Sequence, residues 1–220
     1  FIEASMSSSL KTCLPVIYVF FLAVSTLQAS DRPNILIILA DDWGRFASAY
    51  ARSDGPGSPN DVVQTPSFDR IAQEGVLFRR AFVGSPSCTP CRSALLTGQY
   101  FWRTGPGAIL HAPSWDDSLP AFPLLLGDAG YQLGKSYKVW GPGNPVDAPY
   151  GKQRFAYEKA GRRFNDFSEH VTNLVSKGHP VSEIKESLLD EVGRNFEMFL
   201  EAKAKDQPFC FWFGPTNVHR

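Results

Sequence analysis

Cys88 and Arg92 stand four residues apart in Ser87-Cys88-Thr89-Pro90-Cys91-Arg92, and that spacing carries chemistry. An ionised thiol is a nucleophile. Thr89 suits the N-cap of a helix, Pro90 suits the first helical position, where a missing N–H costs nothing, and Gly98 suits the end. The pattern predicts a short helix over residues 89–98 with Cys88 just before its N-terminus. Free N–H groups and the helix dipole favour an anion at that point. Arg92, about one turn further on, adds a permanent cation. These residues predict a nucleophile held in an anion-stabilising pocket.

A second pair of reactive groups is Asp41-Asp42, directly after the apolar run of residues 33–40. Adjacent carboxylates repel each other, and a divalent cation relieves the repulsion. The plainer use of an Asp at a strand end is a turn or a cap. Cys88-x-x-Cys91 is also the spacing of a redox dithiol and of half a zinc site. No further Cys or His pair of zinc spacing follows, so zinc is not expected; the dithiol competes on spacing alone. Cys13, Cys88, Cys91 and Cys210 do not form a disulfide framework. His111, His170 and His179 belong to no motif.

The elements that must position these groups follow from periodicity. Residues 33–40 read as a strand buried on both faces, as in a parallel sheet. Residues 65–75 read as a short helix with Phe68, Ile71 and Ala72 inward. Residues 76–78 and 81–83 read as strand. A helix over 119–129 closed by Gly130 and a strand over 131–138 come next. Residues 53–59, 141–151 and much of 155–167 read as loop. Residues 182–205 give the clearest helix: Ile184, Leu188, Leu189, Val192, Phe196, Phe199 and Leu200 keep a 3.6-residue period until Pro208. Residues 209–213 form a buried strand, followed by a loop to Arg220. This alternation predicts an α/β fold with a central, mostly parallel sheet flanked by helices.

The chain has 220 residues, with 22 basic against 22 acidic side chains. Zero net charge supplies no basic stripe, so neither nucleic acid nor an anionic membrane surface is an expected partner. From Met6 a polar stretch with Lys11 leads into the apolar run of residues 14–24 and then Ser25-Thr26-Leu27-Gln28-Ala29. Residues 6–29 thus read as a secretory signal peptide. The apolar run is shorter than the ~20 residues a spanning helix needs, so no stable membrane anchor is expected. The expected location is secreted or periplasmic. Residues 30–220 read as the N-terminal part of a catalytic domain, because the sequence stops within an apparent site loop.

Several separated stretches together resemble the sulfatase family. Cys88-Thr89-Pro90-Cys91-Arg92 with Leu96-Thr97-Gly98 is similar to its Cys-x-Pro-x-Arg…Leu-Thr-Gly signature. The run 34–39 with Asp41-Asp42 resembles its first strand and metal-binding Asp pair, and Thr65-Pro66-Ser67-Phe68-Asp69-Arg70 with Glu74-Gly75 resembles the helix between them. Gly130-Tyr131 with Lys138 resembles its Gly-Tyr…Gly-Lys-x-His segment, and Asn217-Val218-His219-Arg220 its Pro-His loop. The similarity is greater to the heparan N-sulfatase-like branch than to the aryl branch.

The resemblance implies an alkaline-phosphatase-like α/β sandwich. It implies that Cys88 is oxidised after translation to formylglycine by a formylglycine-generating enzyme, and that one hydroxyl of the hydrated aldehyde attacks sulfur while the other later expels sulfate. Asp41, Asp42 and the modified Cys88 would bind Ca²⁺, with Mg²⁺ as the other candidate. Arg92 would hold the diol and metal shell, Lys138 would contact the sulfate, and His219 would protonate the leaving group. The substrate would be a sulfated carbohydrate or a small sulfate ester. The chain departs from the pattern at Cys91, where the family often has Ser. Tyr137 replaces a Gly, Trp140 replaces a substrate-contacting His, and Val218 replaces the Pro before His219. The family's second metal-ligand pair would lie beyond Arg220. Three other readings are a phosphoester or phosphonate hydrolase of the same fold, an exported Cys88-x-x-Cys91 redox protein, and a non-catalytic sulfoglycan-binding relative.

Overall fold

Three parallel strands organise the chain in a computed structural model that describes residues 32–111, 114–141, 148, 150–151 and 153–219. The predicted signal peptide and most of the loop after Gly141 lie outside these residues. The strands are β1 (Ile35–Ile38), β2 (Gln132–Tyr137) and β3 (Phe209–Gly214), in the order β1-β3-β2. β3, the last of these three in sequence, is therefore central. Ile35 pairs with Cys210 on one side of β3, and Gln132 with Phe209 on the other.

Parallel neighbours need long crossovers, and these carry the helices. Between β1 and β2 lie α1 (Ala51–Asp54), α2 (Pro66–Glu74), α3 (Cys88–Thr97) and α4 (Phe122–Asp128); between β2 and β3 lie α5 (Phe167–Ser176) and α6 (Val181–Glu201). Short 3-10 turns join them.

The sequence Phe209-Cys210-Phe211-Trp212-Phe213 explains why β3 is central. Alternation sends Cys210 and Trp212 to one face and the three Phe to the other, so both faces are apolar. On the first face Cys210 and Trp212 pack with Leu96 of α3, Leu133, Val139 and Trp140. On the second face Phe209 and Phe211 pack under Phe199 and Phe196 of α6; the Phe199 and Phe211 rings are 4.7 Å apart. Gly134 makes this approach workable, since a Cβ there would overlap Phe199 and come within 2.8 Å of Phe211. The mostly parallel sheet with helices on both faces matches the predicted fold class. No helix among the described residues is long and apolar enough to cross a membrane.

Five readings are corrected. β1 is not buried on both faces, since Leu36 is 50% and Ile38 55% exposed. Residues 76–78 and 81–83 form no strand; apart from half-buried Leu77 their apolar side chains face solvent, with Val76 78% and Phe82 89% exposed. α5 occupies a region where no helix was expected. Ile71 of α2 is exposed, whereas Phe68 packs against Trp43 and Tyr50. α6 ends at Glu201, and its buried stripe is Ile184, Leu188, Glu191, Asn195 and Phe199, while Leu189 is 62% exposed. That stripe keeps the helical period but includes two polar residues, which hydrophobic patterning cannot detect.

Candidate active site

The three strands end on the same side, and the chain leaving each delivers one reactive group. Such carboxyl ends are where open α/β sheets hold ligands. Past β1, Leu39 N–H donates to Phe213 O at 3.0 Å and Asp41 N–H to Pro215 O at 2.9 Å. Past β2, Lys138 N–H donates to Gly214 O at 3.0 Å. Asp41 and Lys138 are thus extensions of the sheet ladder. Gly214 permits the second contact, because a Cβ there would run into the Lys138 carbonyl.

α3 supplies the other two groups. It begins at Cys88 itself, with Ser87 at the N-cap in extended conformation (φ −145°, ψ 141°) and no side-chain cap bond. The expected cap Thr89 lies inside the first turn, and its hydroxyl donates instead to Leu110 O at 2.5 Å. Pro90 is then the third helical residue, still within the turn whose N–H groups lack intrahelical partners. Gly98 ends the helix with φ 65°, as expected of a left-handed C-cap. Gly141 fits close against this helix start, since a Cβ there would strike Thr89.

These elements bring five side chains together. Arg92 is 2% exposed. Its guanidinium donates to Lys138 O at 2.8 Å, Val139 O at 3.2 Å and Asp41 Oδ1 at 3.0 Å. The Lys138 ammonium donates to Asp41 Oδ2 and reaches Cys88 Sγ at 3.1 Å. Cys88 Sγ lies 3.7 Å from Asp41 Oδ2, and His219 Nε2 lies 3.6 Å from the same oxygen. Donor atoms of Asp41, Cys88 and His219 all fall within 4.8 Å of one another, a spacing that could hold a metal ion. Asp42 stands apart from this group. It is exposed, with φ 60°, and lines the same cleft of about 720 Å³ as Asp41, Cys88, Cys91, Arg92 and His219.

Electrostatics follow from the contacts. Burial alone would raise the Asp41 carboxyl, but the Lys138 and Arg92 hydrogen bonds and charges outweigh it and hold its pKa below the ordinary value. Two fixed cations face one carboxylate, so the cluster is suited to a further anion. Burial pushes the Cys91 thiol up and keeps it protonated. Cys88, Cys91 and Cys210 are free cysteines.

Trp140 points away from this chemistry. It is 2% exposed, its indole N–H donates to Ser93 Oγ at 2.7 Å, and its ring meets Trp115 edge-on at 5.0 Å. A second set of residues, invisible to motif reading, braces Lys138 from behind. Tyr137 adopts φ 67°, a conformation uncommon for a bulky residue. Its N–H donates to Glu158 Oε1 at 2.7 Å and its hydroxyl to Glu191 Oε1 at 3.2 Å. Glu191, fully buried, also accepts from Phe164 N–H at 3.1 Å and Arg163 Nε at 3.0 Å. Buried Lys135 lies 3.4 Å from Glu158 Oε1 and 3.3 Å from Tyr137 O. The one available signal was a Glu on the inward stripe of a long helix.

The sulfatase family model matches residues 33–220. The chain belongs to the sulfatase family. It is 27% identical over 199 residues to N-acetylglucosamine-6-O-sulfatase of Bacteroides thetaiotaomicron, which covers 88% of this chain and 32% of the relative. It is 32% identical over 155 residues to human N-sulphoglucosamine sulphohydrolase (68% and 29%) and 36% identical over 132 residues to human steryl-sulfatase (55% and 21%). The chain therefore spans about a third or less of the length of these curated relatives. Within this sulfatase chain, the signature residues Cys88 and Arg92 open one helix, and the strand ends bring Asp41 and Lys138 to them.

Proposed function

We propose that the whole protein is a secreted or periplasmic hydrolase of sulfate esters or sulfamates, acting on sulfated carbohydrate. Residues 6–29 are its signal peptide and residues 30–220 the N-terminal part of its catalytic domain. The observation that carries this reading is the placement of Lys138 Nζ 3.1 Å from Cys88 Sγ, with both against Asp41. A sulfuryl group seated at Cys88 would have a lysine on its oxygens and the nucleophilic position at its sulfur.

Cys88 is proposed to be matured to formylglycine by a formylglycine-generating enzyme. A divalent cation, Ca²⁺ ahead of Mg²⁺, is part of this proposal: Asp41 would offer hard oxygen beside the oxygen that replaces the Cys88 sulfur, whereas Asp42 stands apart from that group and would join it only by turning inward. When bound, such an ion would supply charge for the sulfuryl oxygens. The chain's own residues do the rest. Arg92 fixes Asp41 and the Lys138 backbone from a buried position. Lys138 compensates charge on the sulfuryl oxygens. His219, 39% exposed and at the rim, gives a proton to the departing alcohol or amine. A phosphoester hydrolase would use the same pocket. A cysteine at position 88 favours sulfate, because only it can become formylglycine by this route.

The decisive experiment is mass spectrometry on the full-length protein made together with a formylglycine-generating enzyme. The tryptic peptide of residues 81–92 is expected to be lighter than its cysteine form and to react with an aldehyde probe. Cys88→Ala is expected to abolish sulfate release, and Cys91→Ser to keep it. An unmodified thiol under those conditions would overturn the formylglycine reading, and a Cys88–Cys91 disulfide would do so in favour of the redox protein.

A further inference from the structure

The cleft at Cys88 does not stop at the reactive groups. Arg45, Arg79 and Ala81 line it and also line a second pocket of about 470 Å³, whose wall adds Arg80, Asp54 and Phe82. Three guanidiniums there face one carboxylate. That carboxylate is already engaged: Arg45 grips Asp54 through two bonds of 2.8 and 2.7 Å, and lies 4.2 Å over the Tyr50 ring. Arg79 and Arg80 are exposed and have no acidic partner among the described residues.

An exposed arginine is ordinarily a solvated surface group. Three observations set this pair apart. The two are adjacent on a wall continuous with the reactive cleft. Their segment is irregular yet tied down, since the Tyr50 hydroxyl donates to Phe78 O at 3.3 Å. It also shows two phenyl rings to solvent, Phe78 at 69% and Phe82 at 89% exposure. Exposed rings beside unpaired charge offer a sugar both an apolar face and an ionic contact. A guanidinium fork matches a carboxylate or sulfate in two-point fashion.

We propose that the Arg79–Arg80 pocket is a subsite for a second anionic group, a carboxylate or a sulfate, on a multiply charged oligosaccharide whose reacting sulfate sits between Cys88 and Lys138. The phenyl rings lie along the apolar faces of its sugars. This rests on the sulfatase reading and narrows it, from sulfated carbohydrate in general to carbohydrate that carries a second anionic group beside the reacting sulfate.

The test compares the full-length protein with Arg79→Gln, Arg80→Gln and the double variant, each checked for an unchanged thermal midpoint. The substrates are 4-nitrophenyl sulfate and a sulfated disaccharide that carries a uronic carboxylate. Each substitution is expected to raise KM for the disaccharide about tenfold, the effect of losing one good ionic contact of roughly 1.4 kcal/mol. The double variant should also lose much of the salt dependence of that KM, while kcat/KM for 4-nitrophenyl sulfate stays the same. An equal effect on both substrates, or none on either, overturns the subsite. If the wild type cleaves neither, the sulfatase reading fails separately, and calorimetric binding of the disaccharide still decides: weaker binding by the double variant supports the subsite, and equal binding overturns it. An oligonucleotide of equal charge that binds as tightly through the same arginines overturns the carbohydrate assignment.

Discussion

At the scale of single residues, the site divides the labour between charge that is buried and charge that is reachable. Arg92 spends its donors on Asp41 and two backbone carbonyls, so its work is architectural. Lys138 keeps one face toward Cys88. Lys138→Ala is expected to lower kcat of the full-length enzyme about 10²–10³-fold, the usual loss for one group that stabilises developing charge. His219→Ala should show its largest loss on poor leaving groups and little on 4-nitrophenyl sulfate, because a phenolate departs without a proton. A uniform loss would remove His219 from the acid role. Glu191 makes a prediction about acid stability. Burial alone would raise it, but the Phe164 N–H and the Arg163 and Tyr137 donors outweigh burial, so its folded pKa lies below the ordinary glutamate value. Its contribution is complete above the unfolded-chain pKa and is lost as pH falls through the folded pKa. The thermal midpoint should therefore drop on acidification below the glutamate range, and Glu191→Gln should flatten that slope. Glu191→Leu orphans two buried donors, at about 1–3 kcal/mol each. Asp41, Cys88 and Arg92 were legible in the sequence because their signal is local. Lys138 and His219 emerged only by resemblance; Glu191 showed only as a Glu on the inward stripe of α6, and Glu158, bound through a backbone N–H, left no pattern.

At the scale of elements, β3 and α6 were readable because one is apolar throughout and the other keeps a helical period over several turns. The misread segment 76–83 shows the limit of that logic. β-propensity measures fit to a half-buried sheet, and Val76, Phe78 and Phe82 have no sheet to fit. α5 was open to the same reading, since Phe167, Val171, Leu174 and Val175 stand at i, i+4, i+7 and i+8 across ten residues. Two glycines separate packing from function. Gly134→Ala overpacks Phe199 against the sheet and is expected to lower stability by about 1–3 kcal/mol, with the folded fraction retaining its kcat. Gly214→Ala pushes on the Lys138 carbonyl, which Arg92 holds. Its larger effect should be on kcat, measured at a temperature where both variants are fully folded. The reverse ranking would detach the β3 end from the site.

At the scale of the whole molecule, the site draws on every strand, so loss of any one of its charges should be felt in the others. If a divalent cation joins Asp41, chelation of the full-length protein should lower both its activity and its thermal midpoint, and Ca²⁺ should restore them. Saturation at 100 times the dissociation constant corresponds to about 2.7 kcal/mol. An unchanged midpoint would place the metal elsewhere or nowhere. The strand order β1-β3-β2 also sets a timetable. Ile35 pairs with Cys210, 175 positions later (210 − 35), and β2 has no place to dock until β3 arrives between them. At ribosomal rates of about 5–20 residues per second, that interval lasts roughly 9–35 s. Cys88 itself is made 122 positions before Cys210 (210 − 88), so for roughly 6–24 s it travels on a chain whose strand ends have nothing to converge on. The arrival of β3 ends that interval, and the event that brings the strand ends together leaves Cys88 half-buried in the cleft.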